Sequence, residues 1–328
     1  MESKIRIGFV GCGRAAELIY LPIVNKLPEI EIKGVIDPII ERRELIAAKI
    51  KDCYKSSHID SSFMDQIDAA IISTPPNSHI PAASGLLKKD KFVLVEKPLA
   101  LSTNDIKDLI EVEEASKAFL MMGFNHRNWQ PVINLKNKLS QNIKVNSAEI
   151  IFIGNYNSWN PISFRGEPLN DLGPHVFDLI RFIFNKKIIS ISAKFLEKND
   201  LKIKIKLPVN TIISCRIAHL EQTIKSINVF SDKGNFFIKL GSTRINPEPG
   251  NLRNILDLKD TILRKISGEI SPIKNSYYIQ LKNFINYIKS NKTAEPGLED
   301  GVEALIAAEA AGISINKNGK EVYLDEIR

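Results

Sequence analysis

Over roughly the first 120 residues, short apolar runs alternate with longer mixed stretches. Strands are predicted at 5–10, 31–36, 69–73, 92–95 and 118–122, and helices at 14–27, 40–50, 79–88 and 103–116. Runs such as DAAIIS and KFVLVE are apolar throughout, as strands covered on both faces require. Strand–helix alternation at this spacing implies right-handed βαβ units and a parallel sheet.

From about residue 123 the pattern changes. Helices at 131–140 and 174–184 flank a strand near 148–157, and strand-like runs follow at 188–197, 201–207, 210–220, 226–232 and 235–240. KIKIKL at 202–207 alternates strictly, so one face of that strand is expected to be wet. Ser231-Asp232-Lys233-Gly234-Asn235 reads as a hairpin turn. Consecutive strands with short turns imply an antiparallel sheet. Residues 243–253 read as a loop, and helices follow at 254–266, 275–290 and 298–316. The expected class is α/β. A Rossmann dinucleotide-binding domain spans 1–122, and an α+β domain with a large, mostly antiparallel sheet spans 123–328.

The turn after the first strand explains what the parallel sheet is for. Gly11-Cys12-Gly13-Arg14-Ala15-Ala16 fits G-x-G-x-x-A between a strand and a helix. Gly11 allows the tight turn, Gly13 lets backbone approach a pyrophosphate, and the helix start at Arg14 and Ala15 points N–H groups at it. Asp37 ends the second strand, where a carboxylate accepts from a ribose 2′-OH and repels a 2′-phosphate. NAD is therefore favoured over NADP. Arg42 and Arg43 are the residues that would argue for NADP, although i,i+4 surface pairing with acids is their blander explanation.

Composition narrows the class further. Net charge is +7, from 45 basic and 38 acidic residues, and the basic residues are scattered without a nucleic-acid motif. No apolar stretch is long enough to span a bilayer, and the charged start MESKIR does not fit a signal peptide, so a cytoplasmic protein is expected. Cys12, Cys53 and Cys215 lack metal-ligand spacing, so no metal site is expected.

Two further motifs carry groups suited to proton transfer. Glu96-Lys97-Pro98 closes an apolar strand, and the proline keeps Lys97 extended at the strand's carboxyl end, where parallel sheets bind ligands. Asp171-Leu172-Gly173-Pro174-His175-Val176-Phe177-Asp178 places a histidine among carboxylates, with Pro174 expected in the first turn of a helix and Asp171 just before it. A capping Asp171 and a buried, satisfied His175 are the structural alternative.

Together these segments resemble the Gfo/Idh/MocA family of oxidoreductases. The likeness runs through GFVGCGRAA, VIDP, STPPNSHIPAA, VLVEKPLALS, GFNHR, DLGPHVFDLIRF and EPGLEDGVEAL. It implies a Rossmann domain joined to an α/β domain whose open sheet forms homodimer or homotetramer contacts. The implied activity is hydride transfer between NAD(P) and a hydroxyl or keto carbon of a sugar, sugar derivative or nucleotide-sugar. Carried over by position, Lys97 and His175 are the acid–base pair and Asp171 assists. Ser73, Thr74, Pro75, Asn77 and His79 match the segment lining the nicotinamide and its ribose. Glu96 and Asn125 match further cofactor-side positions. GEPLN stands where the family carries a glycine-rich run.

Trp159, Phe164 and Arg165 precede the histidine motif. Aromatic faces pack on sugar rings and arginine grips anions, so Trp159 and Arg165 join Lys97, Asp171 and His175 as candidate substrate contacts. The amphipathic basic stretch 254–266 suits packing on the domain better than a membrane surface. The expected partner is a small sugar-like molecule, with neither nucleic acid nor membrane. Two other outcomes fit the same motifs: a redox-neutral NAD-dependent glycosidase or lyase, and a dinucleotide-sensing regulator. Intact Lys97 and His175 weigh against the regulator.

Overall fold

The computed structural model describes residues 3–104, 106–155, 167–240, 272–290 and 292–328. The chain divides into two units. One comprises residues 1–124 and 277–302, the other 125–276 and 303–328. Residues 277–302 thus return to the first unit, a segment the sequence pattern assigns to 123–328.

The first unit holds a six-stranded parallel sheet of order β3-β2-β1-β4-β5-β6. Its strands are β1 (Ile5–Val10), β2 (Ile30–Ile36), β3 (Tyr54–Ser56), β4 (Ala69–Ile72), β5 (Phe92–Val95) and β6 (Leu120–Met122). The order reverses between β1 and β4, the place where doubly wound sheets bind dinucleotides. Five of the strands match the apolar runs.

The sixth, β3, and the helix Ser61–Gln66 were not foreseen, because both are short and neither carries a clear period. Asp60 starts that helix by accepting from Phe63 N at 2.7 Å. Phe63 is fully buried against the backbone of Gly8 and Gly34, where any Cβ would collide with its ring.

The helix after the glycine turn widens to a π turn over Ala16–Tyr20 before Leu21–Val24, with Leu21 N donating to Ala16 O. Pro22 has no N–H to give the preceding turn, and a wider turn is one way a helix absorbs that loss. Leu281, Phe284 and Ile285, from the helix Pro272–Ser290, share a core with Ile7, Phe9 and Ile32.

The second unit is built on a seven-stranded sheet of order β12-β11-β7-β10-β9-β8-β13. Its strands are β7 (Val145–Asn155), β8 (Ser190–Glu197), β9 (Asp200–Leu207), β10 (Thr211–Leu220), β11 (Ile224–Ser231), β12 (Gly234–Lys239) and β13 (Val322–Tyr323). Only the β7–β10 pair is parallel. Along β9, Leu201, Ile203, Ile205 and Leu207 are buried while Lys202 and Lys204 are exposed, the wet face that KIKIKL predicts. The hairpin turn places Gly234 at φ +107°.

Among the helices that pack in this unit are Gln130–Leu139 and Pro168–Phe184. The second begins six residues before the predicted start at 174. Asp171 therefore lies inside the first turn, not ahead of it, and Pro174 sits in the helix interior, where the carbonyl of Asn170 loses its usual N–H partner. An apolar stripe including Leu169, Leu172, Val176, Leu179 and Ile183 holds the helix in place despite that loss. The 243–253 and 254–266 expectations lie outside the described residues.

Candidate active site

The nucleotide-side residues gather at the carboxyl ends of β1, β2, β4 and β5. Gly11 has φ +94°, and a Cβ there would come within 2.8 Å of the Ser73 backbone. Ser73 N donates to Val10 O at 2.8 Å and Ser73 Oγ to Gly11 O at 3.1 Å, so the turns after β1 and β4 are locked together. A Cβ on Gly13 would meet nothing within 4 Å. The turn is closed toward the protein and open on its other side, with Arg14 exposed and Ala15 partly so.

Asp37 is 5% exposed. Its two carboxylate oxygens accept from Cys12 N and Ile39 N, both at 2.8 Å, while Arg43 Nη1 donates to its main-chain oxygen. The carboxylate thus fixes the glycine turn, a task the sequence did not disclose. A carboxylate oxygen has a second lone pair with which to accept a ribose hydroxyl. Burial pushes the Cys12 thiol up to about 12, so it is no nucleophile.

Pro75 and Asn77 are exposed, and Pro76–Ser78 form a short 3-10 turn. His79 is 1% exposed and holds the turn with both ring nitrogens, Nδ1 2.7 Å from Pro98 O and Nε2 2.9 Å from Thr74 O. Burial pushes its pKa down, and the two carbonyls pull it back up. Thr74 Oγ1 is buried without a hydrogen-bond partner among the described residues. An unpaired hydroxyl beside an open glycine turn fits a bound dinucleotide.

Glu96 and Lys97 leave β5 half-buried. Tyr20 Oη donates to Glu96 Oε1 at 2.6 Å, and Gln280 Nε2 donates to Tyr20 Oη at 3.2 Å. Burial raises the Glu96 pKa, while Tyr20 and Lys97 lower it. The Lys97–Pro98 peptide is cis.

In the second unit, Asp171 and His175 stand four residues apart on the helix Pro168–Phe184, and so share a face. Asp171 Oδ2 lies 3.0 Å from His219 Nε2; the carboxylate accepts, so His219 donates there. His175 is 5% exposed, with its Nδ1 3.1 Å from His126 Nδ1. His126 Nε2 lies 3.0 Å from Lys225 Nζ. The His126 ring stacks on Trp129 at 5.1 Å.

Asp178 faces elsewhere. It takes Arg127 Nε at 3.0 Å on both oxygens in a buried ion pair, so it is not a partner for His175. Asn125 Nδ2 donates to Ser276 Oγ at 2.9 Å, and its buried Oδ1 has no partner among the described residues. Trp159 and Arg165, with Phe164, lie outside the described residues.

Residues 5–124 match the family described as "Oxidoreductase family, NAD-binding Rossmann fold", Gfo/Idh/MocA. Over those residues the chain matches the Gfo/Idh/MocA family. It is an NAD-binding oxidoreductase. Myo-inositol 2-dehydrogenase of Thermotoga maritima is 24% identical over 98% of this chain and 99% of its own length. The rhizopine catabolism protein MocA of Rhizobium meliloti is 24% identical over 55% of this chain and 57% of its own. Among solved structures, GenD2 from gentamicin A biosynthesis in complex with NAD superposes with TM-score 0.82 at 19% identity, covering 98% of this chain and 97% of that one. Myo-inositol dehydrogenase from Lactobacillus casei, in complex with NAD(H) and myo-inositol, gives 0.79 at 19%, covering 98% and 96%. No described helix is long and apolar enough to cross a membrane.

His126, His219 and Lys225 escaped the sequence. They come from three separate elements that only folding brings to Asp171 and His175. One signal existed. Along β10 the positions Thr211, Ile213, Cys215 and Ile217 are buried, and His219 continues that alternation. A histidine on the inward face of a strand is a candidate for a polar role.

Proposed function

We propose that this chain is an NAD-dependent dehydrogenase or reductase acting on a hydroxyl or keto carbon of a sugar- or cyclitol-type molecule. The observation that carries this is the second-unit cluster. One helix face presents Asp171 and His175 together, with His219 bonded to one and His126 to the other. The full-length likeness to a myo-inositol 2-dehydrogenase supports the substrate class.

The dinucleotide would be held by the turn Gly11–Ala15, by Asp37, by Ser73, Thr74, Pro75 and Asn77 on the turn that His79 braces, and by Glu96 and Asn125. Bound NAD supplies a hydride acceptor, or in the reduced form a donor. This chain's own residues handle the proton. Lys97 and His175 exchange it with the substrate oxygen, and Asp171 assists. Trp159 and Arg165 complete the substrate contacts. We read the enzyme as cytoplasmic and as a homo-oligomer assembled through the second sheet, for which a monomer in light scattering at micromolar concentration is the opposing result.

The test is NADH formation across a panel of cyclitols, sugars and nucleotide-sugars. On the substrate so found, Lys97→Ala and His175→Ala should each cut turnover by roughly 10²–10⁴-fold, the scale of losing an acid–base group. The double variant should lose little more, since both groups serve one proton transfer. NADH affinity should hold in both. Near-wild-type turnover in both variants would remove these residues from the chemistry.

A further inference from the structure

We infer that Lys225 and His126 fix the tautomer of His175, holding its proton on Nε2. The inference rests on His175 as a proton-transfer group and assigns two positioning residues to it.

An ammonium has hydrogens to give and no lone pair to receive with. Lys225 Nζ, 3.0 Å from His126 Nε2, is therefore the donor of that pair. His126 Nε2 carries the lone pair, and the neutral ring has its one hydrogen on Nδ1. That hydrogen faces His175 Nδ1 at 3.1 Å. Two nitrogens at this distance share one hydrogen, and His126 supplies it. His175 Nδ1 thus accepts, which leaves the hydrogen of the neutral His175 ring on Nε2.

The alternative is an imidazolium at His126, which would turn an N–H toward the Lys225 ammonium. Like charges 3.0 Å apart in a mostly apolar setting disfavour that state. The setting is made by Trp129 and Phe152, whose rings lie 5.1 and 5.3 Å from that of His126. Lys225 Nζ also sits 4.6 Å above the Phe152 ring, which holds the cation in place. Strand pairing sets the arrangement, since Lys225 on β11 is the direct partner of Phe152 on β7.

The consequence for the chemistry is specific. In its resting neutral state His175 meets a substrate oxygen as a hydrogen-bond donor at Nε2. When it gives that proton up, the balance is restored along the same line. Nδ1 of His175 takes the His126 proton, and Nε2 of His126 takes one from Lys225, leaving that amine neutral.

The test reads tautomers directly. The chain has five histidines: His58, His79, His126, His175 and His219. Two-bond proton–nitrogen correlation spectra of 15N-histidine-labelled protein at pH 8 distinguish Nδ1–H from Nε2–H rings, and single His→Gln variants assign the signals. The expected spectrum shows His126 as Nδ1–H and His175 as Nε2–H. In Lys225→Met, His126 should move toward the Nε2–H form and His175 should lose its single-tautomer signature.

His175 found as Nδ1–H, or both rings unchanged in a folded Lys225→Met protein, overturns the inference. Should Lys225→Met fail to fold, the wild-type spectrum decides alone. The parent reading fails separately. Full turnover in His175→Ala with the expected tautomers would sink the catalytic role and leave the tautomer relay standing.

Discussion

Ser73 Oγ donates to the carbonyl of Gly11 at 3.1 Å, and the Ser73 backbone occupies the space a Gly11 side chain would need. Gly13, two residues on, faces open space and has no positive φ. The two glycines should therefore fail differently. Gly11→Ala is expected to cost about 1–3 kcal/mol of stability from backbone strain alone, with the clash adding to it. Gly13→Ala should leave the melting temperature near wild type and weaken NADH binding by roughly tenfold, the loss of one good contact. Thermal unfolding and fluorescence titration of both variants separate these outcomes. Equal melting temperatures for the two would refute the assignment.

Asp37 gives a second prediction. Its carboxylate anchors Cys12 N and Ile39 N, and we propose that it also sets the dinucleotide preference. Wild-type protein should bind NADH more tightly than NADPH. Asp37→Asn removes the charge that repels a 2′-phosphate, so the gap should narrow. Stability should fall by about 1–3 kcal/mol, because one of the two buried N–H groups loses its acceptor. Tighter NADPH binding by the wild type would end this account of Asp37.

Glu96 predicts a pH dependence. Burial holds its carboxyl pKa above the usual 4.5 in the folded chain. The folded state therefore binds the proton more tightly than the unfolded state. Stability tied to Glu96 is full below 4.5 and declines as pH rises through the folded pKa. Glu96→Gln keeps an oxygen for the Tyr20 hydroxyl and removes the buried charge. It should melt higher than wild type at pH 8, with the advantage shrinking toward pH 4. An advantage that grows on acidification would contradict the sign.

Arg127 and Asp178 form a buried pair whose side chains are 10% and 1% exposed. Arg127→Met alone strands a buried carboxylate and should cost about 3–5 kcal/mol. The double variant Arg127→Met/Asp178→Leu should recover most of that. Chemical denaturation of the three proteins checks it, and a double variant as unstable as the single would show that the pair contributes more than mutual neutralisation.

Local signals carried much of this protein. β1 and the helix Leu298–Asn316 fall where their apolar periods put them, and the glycine turn sits in its expected strand–helix context. Sequence reasoning went astray where a local rule met a tertiary override. Pro174 reads as a helix start, yet the apolar face of Pro168–Phe184 carries the helix through it. Asp178 reads as a neighbour of His175, yet Arg127, 51 residues away, takes it. Lys225 is one lysine among many until β11 pairs with β7 and sets it beside Phe152 and His126. Such relations are matters of register, and no window of sequence contains them.

The return of residues 277–302 to the first unit has a consequence for how the chain is born. Leu281, Phe284 and Ile285 complete the core begun by Ile7 and Phe9, so the parallel sheet cannot be finished when its last strand leaves the ribosome. At ordinary synthesis rates it waits roughly eight to thirty seconds for them, with apolar surface uncovered. Every strand from β7 to β12 is made during that interval. The part of the molecule that is translated first is thus not the first to be completed. A nascent chain paused before residue 277 would offer its longest-lived sticky surface to chaperones at the nucleotide sheet.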